Sequence, residues 1–132
     1  MKRELALALA GLLMIPLALA AHHSFAAEFD SAKPVSLSGP VTKVEWTKPH
    51  IWIYMESKDA AGAAVKWQCE MGSPNTLTRQ GWSRDSLKPG DQILIDGSRA
   101  KDGTNTCNAR SVRLANGKRM FAGSSETAAP TQ

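Results

Sequence analysis

From Val65 to Met71 the chain alternates without a break: Val65, Trp67, Cys69 and Met71 are apolar, while Lys66, Gln68 and Glu70 are polar. A helix repeats its faces every 3.6 residues and cannot satisfy a period of two, so this stretch reads as a strand with one face toward a core. From Val35 onward the chain continues in the same manner, as short strands broken by turn residues.

Val35 to Trp46 starts with apolar residues at odd positions (Val35, Leu37) and ends with them at even ones (Val44, Trp46). The phase slips at Gly39-Pro40, where no regular ladder can run, and this predicts a bulge and a sharp bend in a long first strand. Ile51 to Glu56 forms a second strand, with Ile51, Ile53 and Met55 on one face and Trp52 and Tyr54 on the other. The run containing Cys69 is the third. Ser73 suits a helix N-cap, Pro74 the first turn and Gly81 the end, so one short helix follows. Lys88-Pro89-Gly90-Asp91 turns into a fourth strand, Gln92 to Ala100. Lys101-Asp102-Gly103 leads to a fifth near Cys107 to Leu114, with a short extension through Met120-Phe121 after Asn116-Gly117. Three strands, a helix and two more strands, with a bent first strand, is the order of the five-stranded Greek-key barrel called the OB-fold. The expected fold is all-β with one short helix and OB-fold-like; a small β-sandwich is the alternative.

The first twenty residues follow another rule and carry a large share of the 42% hydrophobic content. Lys2 and Arg3 precede an apolar run from Leu5 to Leu19, which ends in the small-x-small sequence Ala18-Leu19-Ala20. That is the pattern of a secretory signal peptide over 1–20, and its run is shorter than the roughly 20 residues a membrane span needs. A retained anchor helix is the alternative, and no cysteine stands at the cleavage point to take a lipid. The expectation is an exported chain without a membrane span, with a barrel domain over 21–121. A tail over 122–132, rich in Ser, Thr, Ala, Gly and Pro, cannot bury enough surface to order itself. The roughly 110 residues left make one modest core and exclude a kinase, a Rossmann enzyme or a TIM barrel. The formal charge of +4 is spread over alternating signs, so no basic track for nucleic acid is expected.

Cys69 and Cys107 fall on the third and fifth strands, which are neighbours in an OB-fold. An exported protein meets oxidants, and a bridge between the two would stabilise the fold by roughly 4 kcal/mol; two separate buried thiols are the other reading. The chain has no Cys-x-x-Cys, and no Gly-x-Ser-x-Gly, His-Glu-x-x-His or phosphate loop. No catalytic constellation is identified.

All three histidines stand at informative places: His22 and His23 directly after the expected cleavage site, and His50 after Pro49 at the start of the second strand. If the chain begins at Ala21, its amine, two backbone amides and the His23 imidazole can wrap Cu(II) or Ni(II) in a square plane. If it begins at His22, that residue's amine and ring could clamp copper together with His50, in the manner of a histidine brace. Solvated residues at a frayed end are the competing reading. Phe25 and Phe29, one helical turn apart, are expected to fold this segment back onto the barrel. On the second and third strands, Trp52, Tyr54, Lys66 and Gln68 would form a platform where OB-folds usually bind ligands, unless the N-terminal segment or the helix covers it.

Four stretches occur in order: His-His-Ser-Phe-Ala-Ala-Glu-Phe-Asp (His22 to Asp30), Glu-Trp-Thr-Lys-Pro-His-Ile-Trp (Glu45 to Trp52), Gly-Ser-Pro-Asn-Thr-Leu (Gly72 to Leu77) and Gly-Trp-Ser-Arg-Asp-Ser-Leu-Lys-Pro-Gly-Asp (Gly81 to Asp91). They resemble the signature of a family of small exported bacterial proteins classed as a domain of unknown function. The resemblance implies a periplasmic location and a small barrel and brings no activity. The family typically has Asn-Pro-His where Lys48-Pro49-His50 stands here, while the His22-His23 start is kept. The expected function is a non-catalytic periplasmic binding module holding a transition metal, copper in preference to nickel, through His22, His23, the Ala21 amine and His50. The alternatives are a barrel that binds a small ligand or a periplasmic protein partner on the Trp52 and Tyr54 face, and a copper enzyme of the histidine-brace type.

Overall fold

The computed structural model describes residues 25–124. The expected signal segment, the Ala21, His22 and His23 group and the tail beyond Ser124 lie outside the described residues.

The elements are α1 (Phe25–Glu28), β1 (Phe29–Glu45), β2 (Trp52–Lys58), β3 (Ala64–Glu70), α2 (Pro74–Arg79), β4 (Gln92–Ala100), β5 (Thr106–Arg113) and β6 (Arg119–Phe121). β1 pairs with both β2 and β4, β2 with β3, and β4 with β5, all antiparallel, while a parallel β3–β5 pairing closes the ring of five. This is the strand order of the OB-fold-like barrel expected from the sequence. β6 adds to the free side of β5.

The first strand departs from its expected bounds. It begins at Phe29 because Phe29 and Asp30 already pair with Ala100 and Arg99, ahead of a register shift before Pro34. It also keeps its odd phase through the Gly39-Pro40 bend, since Leu37 and Val41 are both buried. The phase flips one step later, where the pairing with β2 shifts between Val41 and Lys43. An extra residue there turns Val44, at an even position, toward the core. Gly39 has a separate duty: a Cβ on it would lie 1.9 Å from the Glu56 carbonyl oxygen, so the bend brings two backbones into contact that a side chain would block.

The inner faces of the ring bury Ile51, Ile53, Met55, Cys69, Met71, Ile95 and Val112, and each large side chain so buried contributes about 1.5–3 kcal/mol. α2 closes one end. Ser73 caps it by accepting from the Thr76 N–H, Pro74 opens it, and its Leu77 is fully buried. Trp82 packs behind it and donates from Nε1 to the Phe121 carbonyl at 2.7 Å. Packing continues past the expected boundary at Phe121: Ala122 is buried, donates to the Arg110 carbonyl and accepts from Gly72 N–H. Elsewhere Trp67, half-buried, lies 5.3 Å from the Arg99 guanidinium, which also holds the carbonyls of Gly103 and Thr104 in the β4–β5 turn.

The β2–β3 turn is built by one side chain. Asp59 Oδ1 accepts from the N–H groups of both Ala61 and Ala63, and Gly62 takes φ +81°.

Cys69 and Cys107 face each other in the parallel register and form a disulfide that closes a separation of 38 residues. The bridge, not the pair of separate thiols, is what the structure contains. Its seam is short, covering only the pairs Gln68 with Thr106, Cys69 with Cys107 and Glu70 with Asn108.

Candidate functional site

The outer faces of β2, β3 and β5 meet at this seam. Trp52 stands opposite Glu70, Tyr54 opposite Gln68 and Glu56 opposite Lys66, so the expected platform residues do share one surface. They are not equivalent on it. Lys66 and Gln68 are exposed, whereas Trp52 and Tyr54 are half-buried.

Tyr54 is held by its neighbours on β1. Its hydroxyl donates to Glu45 Oε2 at 3.2 Å, Glu45 Oε1 accepts from Lys43 at 2.5 Å, and the Lys43 ammonium lies 5.3 Å from the Tyr54 ring. Burial, and then the Glu45 charge, raise the Tyr54 hydroxyl above its ordinary 10.0. The Lys43 hydrogen bond in turn lowers Glu45, and Glu45 raises Lys43. This half of the platform is occupied with its own network.

Trp52 lies in a groove shared with Ala27, Glu28 and Phe29 on one side and Lys101, Asp102 and Thr106 on the other. α1 is fastened there: Lys101 donates from its backbone to the Glu28 carbonyl at 2.8 Å and from Nζ to the Ala26 carbonyl, and Phe25 stacks on Phe29 at 5.8 Å. The expected packing role of the two phenylalanines is seen, and the segment they anchor runs beside Trp52. Gln68 Nε2 donates to Thr106 Oγ1 at 3.1 Å, linking β3 to β5 across the face.

The most distinctive chemistry is at the opening of β2. The Lys48–Pro49 peptide bond is cis. Ile51 donates to the Gly72 carbonyl and accepts from Met71, so the chain on both sides of the hairpin end is fixed. His50, placed just before it, turns Nδ1 to Glu70 Oε1 at 2.5 Å; the side chains are 32% and 10% exposed. A carboxylate oxygen accepts, so Nδ1 is the donor to Glu70 and Nε2 is the ring nitrogen that this contact does not use. This is the arrangement by which a carboxylate orients a metal-binding imidazole. Among the described residues no group of three or more His, Cys, Asp or Glu side chains converges as a metal site, so His50 and Glu70 supply at most part of one.

Glu70 was legible only as a polar position of its strand, and its role follows from the hairpin register. A turn centred on Ala61 pairs residues equidistant from it, which puts Glu70 opposite Trp52 and diagonal to His50. Among the described residues no helix is long and apolar enough to cross a membrane.

These features define a small OB-like barrel whose short parallel seam is locked by a disulfide and flanked by a carboxylate-held histidine. The chain belongs to the family of unknown function DUF6152, which matches residues 10–109. Neither the curated proteins nor the solved structures yield a match to it.

Proposed function

We propose that this protein is a non-catalytic, exported binding module that holds a transition metal through His50 together with His22, His23 and the Ala21 amine of the mature chain. The observation that carries the reading is the His50–Glu70 pair, in which one ring nitrogen is committed to a buried carboxylate, and that supports Nε2 as the nitrogen that would bind a metal. Nitrogen donors of this kind favour copper over the other divalent first-row ions, with nickel next in suitability for a square-planar set. The Cys69–Cys107 disulfide supports a periplasmic location, because such bridges persist in oxidising compartments. The signal-like pattern of residues 1–20 supports it independently.

The test is a copper titration of the secreted chain, its N-terminus first mapped by mass spectrometry. His50→Ala and the double change His22→Ala with His23→Ala should each weaken binding by more than about ten-fold. Equal, weak binding by all three proteins would sink the metal reading. The groove at Trp52 supports a second reading, in which this face receives a small ligand or a periplasmic protein and the histidines are incidental. Trp52→Ala would then abolish capture of that partner while leaving copper binding unchanged.

A further inference from the structure

At the opposite end of β2 from His50, the barrel leaves two strand edges without a partner. Val41 donates to the Asp91 carbonyl and accepts from the Gly90 N–H, so its main chain faces the β4 side. Successive residues of an antiparallel ladder face opposite ways, and the register with β4 runs unbroken from Pro34 to Pro40. Val35, Leu37 and Gly39 therefore turn to β4, while Ser36 and Ser38 turn their N–H and C=O groups away from it. Both prolines of the stretch, Pro34 and Pro40, fall in the second phase, where a missing N–H costs no bond to β4. On β2 the count starts from Ile51 and Asp59, which bond toward β3 at the two ends of an unbroken register, so Glu56 and Lys58 turn toward β1. The approach of the Glu56 carbonyl to Gly39 agrees with this. Yet β1 and β2 pair only from Val41 onward. Among the described residues, the main-chain groups that Ser36, Ser38 and Lys58 turn to this side meet no partner. Between the two edges lies a cavity of about 640 Å³, with Gly39 and Pro40 where the strands meet.

We propose that this slot takes an extended segment of a partner protein by strand addition. The main chain of the segment pairs with Ser36 and Ser38 and reaches Lys58 on the other wall. The spacing selects a polypeptide: donors and acceptors recur along each edge every second residue, about 6.6 Å apart, which is the repeat of an extended main chain. Charge narrows the choice. Lys58 is exposed, stands opposite Ala64 and has no carboxylate partner among the described residues, so the segment carries an acidic side chain beside it. The slot shares no residue with the metal site proposed above or with the Trp52 groove, and stands or falls without them.

The edges are tested first, by amide hydrogen exchange followed by NMR. In the free chain the Ser36 and Ser38 amides should exchange faster than that of Leu37, by at least about ten-fold; the reverse order overturns the assignment of the edge. The probe is a random library of linear, cysteine-free heptapeptides selected on the wild-type chain. Selected peptides should be rich in Asp or Glu and, at saturation, should slow exchange at Ser36 and Ser38 by at least about ten-fold. Methylating every second main-chain nitrogen of such a peptide should weaken binding more than about ten-fold in at least one of its two phases, because strand addition is read through the main chain. Ser38→Pro, a change of the kind β1 already carries at Pro34 and Pro40, should weaken it likewise; should that variant fail to fold, the methylated peptides decide. The strand addition is overturned if no peptide is selected, if selected peptides leave the Ser36 and Ser38 amides unprotected, or if affinity survives methylation in both phases or survives Ser38→Pro. Neutral or basic selections overturn the acidic chemistry assigned to the segment. Protection that grows with protein concentration in the absence of peptide gives the slot to a second copy of this chain and overturns the partner.

Discussion

The barrel is closed by two seams of opposite character. Between β1 and β4 the antiparallel register runs from Phe29 with Ala100 to Pro40 with Gln92, long enough to hold by its own hydrogen bonds and buried side chains. Between β3 and β5 only three parallel pairs meet, and parallel pairing is slightly weaker per residue. The short seam is reinforced covalently by Cys69–Cys107, and beside that bridge stand Glu70 and Asn108, two buried polar residues. Burying a polar group without partners is costly. Asn108 Oδ1 is such a group, with no hydrogen-bond partner among the described residues, and it stands where backbone pairing is thinnest, so the disulfide offsets a local loss of stability.

Breaking the short seam should have the largest effect. Cys69→Ser with Cys107→Ser should cost roughly 4 kcal/mol in the chain-entropy account, measured by urea unfolding. A loss below about 1 kcal/mol would mean that the parallel pairing holds without its bridge. The long seam is most vulnerable at its bend. Gly39→Ala drives a Cβ against the Glu56 carbonyl, and a loss of about 3 kcal/mol is expected in the same measurement.

The two sides of β2 separate next. Toward β5, Glu70→Gln should lower copper affinity by about 10–100-fold while leaving the unfolding midpoint nearly unchanged. Toward β1, Tyr54 is the one tyrosine of the chain, so absorbance at high pH reports it alone. Its midpoint should lie above 10.0, and Glu45→Gln should bring it part of the way back, since burial, the larger cause, remains. The folded chain holds this proton more tightly than the unfolded one, so stability is unaffected below pH 10 and falls as pH rises past it. Copper binding should ignore Glu45→Gln; a matching loss there would merge two networks that the structure keeps apart.

How much of this could be read in the sequence depended on whether the signal was local. β4 and α2 were legible to their ends because turn residues and caps mark them, as Pro89-Gly90, Ser73 and Pro74 do. The barrel order followed from the sequence of elements. The start of β1 was not legible, because Phe29 and Asp30 pair with β4 ahead of a register shift that erases any alternation. Alternation alone puts the phase flip at Gly39-Pro40, whereas that bend answers a backbone approach and the flip belongs to the shift after Val41. Site residues divided in the same way. His50 announced itself by residue type. Glu70 required the hairpin register.

The turn at Asp59 lies at the far end of β2 and β3 from Trp52 and Glu70. Its hydrogen bonds are nearly self-contained, running from Asp59 to Ala61, Gly62 and Ala63, and a side chain added at Gly62 would meet nothing within 4 Å. This loop is therefore the natural handle for experiments: a fluorophore or a surface linkage attached at the exposed Ala60, clear of the Asp59 hydrogen bonds and of the positive φ at Gly62, would leave the histidine end of the barrel facing the solution.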